Sequence, residues 1–104
     1  MDTNIFIQKI NTALKNTFSD YRGVYFFGSR CREDNREDSD YDMVFVFETT
    51  PDWRKKDKVR EVVYQKEVEY DVVIDGKYYA QKEIENYRTP FLETVYKEGQ
   101  FYAV

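Results

Sequence analysis

The sequence predicts an α/β fold of the α+β kind, a small sheet of three or more strands flanked by helices. Three features carry this expectation. Near the N-terminus, Ile7, Ile10, Leu14 and Phe18 recur at helical spacing. Two apolar runs, Val24 to Phe27 and Tyr41 to Glu48, read as strands buried on both faces. A third extended stretch, Glu69 to Tyr79, is followed by a helical region to Lys97.

The first helix is expected from about Asn4 to Phe18, with Asp2 or Thr3 as its cap. Arg22-Gly23 should turn the chain into the first strand. Thr49-Thr50-Pro51 should end the second, because proline lacks the backbone donor. A second helix is expected from about Asp52 to Lys66, with Val59, Val62, Val63 and Lys66 on one face. Its β-branched residues leave a hairpin strand at Val59 to Tyr64 as the alternative. In the third strand Asp71, Val73 and Asp75 would share a face, and Asp75-Gly76 could bend or bulge it. The last helical region should break near Thr89-Pro90, where a new helix can start, and Gly99 suits its end. No repeat, low-complexity stretch or linker is evident, so residues 1–104 read as one domain.

Composition narrows the chemistry. The net charge is -4 and there is no histidine. The acidic balance argues against a general nucleic-acid partner. Without imidazole there is no Ser-His or Cys-His pair and no zinc site of the Cys/His type. The single cysteine, Cys31, rules out an internal disulfide and fits a reducing compartment. No stretch is apolar enough to span a bilayer, and Met-Asp-Thr-Asn does not begin like a secretion signal. The expectation is a cytoplasmic protein without a membrane partner, working with carboxylates, hydroxyls, lysine, arginine and metal.

Those groups gather between the first two strands. Gly28-Ser29 ends one apolar run, and Asp40-Tyr41-Asp42 opens the next. Alternate residues of a strand share a face, so Asp40 and Asp42 would stand roughly 6.5–7 Å apart on one side. Two carboxylates that close repel unless a cation lies between them. Mg²⁺ suits oxygen ligands and leaves positions open for water and phosphate. Gly28 allows a ligand to approach the backbone closely, and Ser29 offers a hydroxyl.

Gly28-Ser29-Arg30-Cys31-Arg32-Glu33 followed by Asp38-Ser39-Asp40-Tyr41-Asp42 resembles the signature of the DNA polymerase β-like nucleotidyltransferases. It is most similar to the minimal, or MNT, members. The likeness extends through Glu69-Tyr70-Asp71-Val72-Val73-Ile74 and Thr89-Pro90-Phe91-Leu92 to Lys97-Glu98-Gly99. One departure is Glu33, where these proteins usually have glycine, which places a charge beside the phosphate-binding turn.

The resemblance implies a polymerase β-like fold with a small mixed sheet. It implies three carboxylates holding two Mg²⁺ ions, with Asp40 and Asp42 as a pair. Asp71 is the candidate for the third, and Asp75 is its rival. Gly28, Ser29, Arg30 and Arg32 are the implied contacts to the nucleotide. The implied reaction transfers a nucleoside monophosphate, AMP from ATP, to a hydroxyl. Minimal members are often encoded beside HEPN proteins, and some act as antitoxins that attach AMP to a tyrosine of the HEPN toxin, so the resemblance implies a HEPN-type partner. A small-molecule acceptor completed by a homo-oligomer, and a non-catalytic antitoxin module, are the alternatives.

Overall fold

The computed structural model describes residues 2–27, 40–86 and 89–104. The chain runs α1 (Thr3–Thr17), β1 (Tyr21–Phe27), β2 (Tyr41–Phe47), α2 (Trp53–Tyr70), β3 (Ile74–Ala80), α3 (Gln81–Asn86), α4 (Pro90–Glu98) and β4 (Gln100–Ala103). The strands form one sheet in the order β3-β2-β1-β4. β1 is antiparallel to β2 and to β4, whereas β2 and β3 are parallel. The parallel pair needs a crossover, and α2 supplies it. This is the expected mixed sheet flanked by helices.

Each face of the sheet has its own apolar layer. Phe6, Ile7, Ile10 and Leu14 of α1, with Val59 and Val63 of α2, close over Val24, Phe26, Met43, Phe45 and Phe47. On the other face Val44 and Val46 pack with Ile84 of α3 and with Leu92 and Val95 of α4. Successive β2 residues thus enter opposite layers, which is why that strand reads as unbroken apolar sequence.

The caps follow local chemistry. The Asp2 side chain accepts from the backbone N–H groups of Asn4 and Ile5, and Asp52 accepts from that of Lys55. Thr89 caps α4, with Pro90 at its first position, and Gly99 follows its end.

Three expectations need correction. Arg22-Gly23 is not a turn before the first strand but part of it. The register shifts between Tyr21 and Gly23, and Gly23 has φ 146°. A Cβ there would lie 2.4 Å from the Tyr102 carbonyl oxygen, so the close approach of β4 requires glycine. Gly23→Ala should therefore cost about 1–3 kcal/mol, read as a lower denaturation midpoint. The helix α2 forms as expected, throughout Val59 to Tyr64, and the second correction is its end, four residues past Lys66. Burial of Val59 and Val63 in the core overrides the β-branched local preference, and at the extended end the Tyr70 ring meets Phe6 of α1 edge-on at 5.0 Å.

As the third correction, β3 begins at Ile74, not Glu69, and Asp75-Gly76 lies in an unbroken ladder, Gly76 opposite Met43. β4 makes the fourth strand of a sheet expected to have three or more, though the sequence pattern did not place it. It is four residues long and largely exposed, so it carries no alternation. A buried polar link helps hold it. The Tyr21 hydroxyl donates to Asn11 Oδ1, and Asn11 Nδ2 donates to the Tyr102 carbonyl at 3.0 Å. Asn11→Ala should leave the buried Tyr21 hydroxyl without its acceptor and cost about 1–3 kcal/mol, measurable by urea denaturation.

Candidate functional site

The parallel β2–β3 ladder builds the site. Asp42 on β2 lies directly opposite Asp75 on β3, and Phe27 of β1 lies opposite Asp42 on its other side. Residues paired in register project to the same face, with neighbouring strands about 4.7–4.9 Å apart. The row Phe27–Asp42–Asp75 therefore crosses three strands on the face covered by α3 and α4. The next row on that face is Tyr25–Val44–Lys77. Phe27 packs edge-on against Phe91 in the first turn of α4, with ring centroids 5.7 Å apart. This contact brings the start of α4 to the carboxylate row.

The electrostatics reflect this crowding. Asp42 is partly buried, and burial pushes its carboxyl above the usual range. The charges of Asp75 and Asp40 push it further, and Lys77 works against them. Asp40 is exposed and stands just before β2, where the Tyr41 N–H already donates to the Val73 carbonyl at 2.9 Å. Glu67 of α2 also titrates above the usual range, through burial and then the charge of Asp40, while a hydrogen bond from the Ile74 backbone opposes the rise. Asp75 and Glu67 both line a cleft of about 330 Å³ along the β3 edge, with Arg60, Tyr64 and Tyr78.

The structure brings Asp42 and Asp75 together and leaves Asp71 apart from that pairing. Asp71 is not a strand residue. It ends α2 in the left-handed conformation, φ 54° and ψ 53°, with its N–H donating to the Glu67 carbonyl. It precedes the first paired residue of β3 by three positions. The sequence expectation failed here because it started the strand five residues early. Lys77 was not singled out from the sequence, although alternation along the expected strand already puts it on the face of Asp75. Gly28, Ser29, Arg30 and Arg32, as well as Cys31 and Glu33, lie outside the described residues.

Among the described residues no three Asp, Glu, His or Cys side chains gather tightly enough to cage a metal. An all-protein cage is not the requirement for Mg²⁺, which typically takes one or two carboxylates and completes its shell with water and substrate phosphates. The donor chemistry of Asp42 and Asp75, two hard oxygen ligands in register, fits an ion that arrives on a polyphosphate.

The sequence model of the family described as polymerase beta, nucleotidyltransferase matches residues 8–100. The chain belongs to that family. No curated protein is similar enough to count as a match. Among solved structures, the fold is similar to a toxin–antitoxin with AMP-PNP, at TM-score 0.68 and 19% identity over 90% of this chain and 69% of that one. It is similar to the toxin–antitoxin MntA–HepT at TM-score 0.63 and 17% identity, over 95% and 70% of the two chains. A third is a complex of a tri-AMPylated HEPN toxin with an MNT antitoxin from Shewanella oneidensis, at TM-score 0.59 and 17% identity, over 94% and 69%. Identities this low establish the shared fold. Among the described residues no helix is long and apolar enough to cross a membrane.

Proposed function

We propose that this protein is a Mg²⁺-dependent adenylyltransferase that moves AMP from ATP to a hydroxyl of a partner protein, a tyrosine of a HEPN toxin, in the cytoplasm. The observation that carries the reading is the in-register pair Asp42–Asp75 beside Asp40, in a chain of the nucleotidyltransferase family. The toxin–antitoxin setting is supported by the neighbours with AMP-PNP and with an AMPylated HEPN toxin.

Mg²⁺ carried by the triphosphate would relieve the repulsion between the carboxylates and neutralise charge developing at phosphorus. Asp42, Asp75 and Asp40 are the residues we assign to hold it. The acceptor hydroxyl oxygen attacks the α-phosphorus, the bond to the β-phosphate oxygen breaks, and pyrophosphate leaves. Asp75 lies on an edge strand with its side chain about half exposed, 52%. An acceptor can reach it there, and it is the group we assign to take the hydroxyl proton. Asp71 closes a helix in this reading. Gly28, Ser29, Arg30 and Arg32 remain the proposed nucleotide contacts.

The test is transfer of label from α-³²P-ATP to a co-expressed HEPN partner. Label on a tyrosine that requires Mg²⁺ is the expected result. Tight binding of the partner with no label in wild type would identify a non-catalytic module instead.

A further inference from the structure

Among the described residues, Lys77 is the cation that pairs with the carboxylate row, through Asp75. Lys77 lies opposite Val44, and this row is the next one to Asp42–Asp75 on the same face, since β-strand residues two apart share a face. Its Nζ is 3.5 Å from Asp75 Oδ1 and 5.7 Å from the centre of the Phe91 ring. The ammonium is thus suspended between a carboxylate and an aromatic face. The Phe91 ring in turn packs on Phe27, the residue opposite Asp42. The side chain is 44% exposed, so no buried contact holds it in place. The position suits a group that changes partners.

We propose that Lys77 is the resident counter-cation of this site, pairing with Asp75 while no metal is bound and turning to the triphosphate when the nucleotide brings its own. The inference rests on the adenylyltransferase reading above. A divalent ion on Asp75 cannot coexist with an ammonium on the same oxygen without like-charge repulsion. Released from Asp75, the ammonium would turn on its flexible stem to the phosphate oxygens that arrive with the metal.

The two roles predict effects of opposite sign. In Lys77→Met, a competing cation is gone, so Mn²⁺ alone, followed by paramagnetic resonance of the free ion, should bind about threefold more tightly than to wild type. ATP with Mg²⁺, followed by calorimetry, should bind about tenfold more weakly. Lys77→Arg keeps the charge and should hold both affinities within about twofold of wild type. Wild-type binding of metal and nucleotide with both affinities unchanged in Lys77→Met would overturn this inference alone. So would a shift of both in one direction. A wild type that binds neither would overturn the underlying reading and this inference with it.

Discussion

Asp42→Asn is expected to lower adenylyl transfer by at least about 100-fold while raising the denaturation midpoint of the metal-free protein. The two effects share one cause. Burial, and then the charges of Asp75 and Asp40, disfavour the charged form of Asp42. That arrangement suits a cation and costs the empty fold. Removing an oxygen ligand from the charged centre removes a few kcal/mol of stabilisation at phosphorus, and each 1.36 kcal/mol is a factor of ten in rate. The stability gain is smaller. Asp42 is only partly buried, so screening limits the gain to less than about 1 kcal/mol. A change of that full size would move the midpoint by about 4–8 °C.

The pH dependence has a defined sign. A carboxyl raised above its ordinary value of 3.8 favours the protonated fold. Its contribution to stability is fully present below that value and is lost as pH rises through the raised one. Metal-free wild type should therefore lose stability relative to Asp42→Asn across that window, and the difference should persist at neutral pH. Equal midpoints for the two proteins from pH 3 to 7, an interval of about four units around this titration, would show that the charges at Asp42 do not strain the fold.

The second large effect separates two aspartates that the sequence left in competition. Asp75→Asn should lower transfer by about 100-fold or more, on the same argument as Asp42. Asp71→Gly should leave transfer within about threefold of wild type, because Asp71 serves as the left-handed end of α2. Glycine takes that conformation without cost, so stability should hold or rise by up to about 1 kcal/mol. The reverse outcome, transfer lost with Asp71→Gly and kept with Asp75→Asn, would return the third carboxylate to the start of the loop before β3.

How much could be read in advance follows from where each decision is made. Asp42 was legible as a strand residue because the apolar run that follows it, Met43 to Phe47, fixes β2 locally, whereas Asp40 stands just before that strand. The caps at Asp2, Asp52 and Thr89 were legible for the same reason. Choosing between Asp71 and Asp75 was not a local matter. It depends on where α2 stops, which is decided by Tyr70 packing on Phe6, 64 positions earlier in the chain. β4 was hidden because its pairing with β1 rests on Gly23 and on the Asn11–Tyr102 link, neither of which marks residues 100–103 as a strand. Lys77 gains meaning only from register, since its relation to Asp42 runs through Val44 across the ladder.

The most direct test of the Asp42–Asp75 pair is a calorimetric titration of ATP into wild type, Asp42→Asn and Asp75→Asn, each with Mg²⁺ and with EDTA. Binding by wild type that requires Mg²⁺ and is lost in both variants is the predicted result. Binding that survives in either variant, or that is indifferent to Mg²⁺, would contradict the assignment of this carboxylate pair as the seat of the reaction.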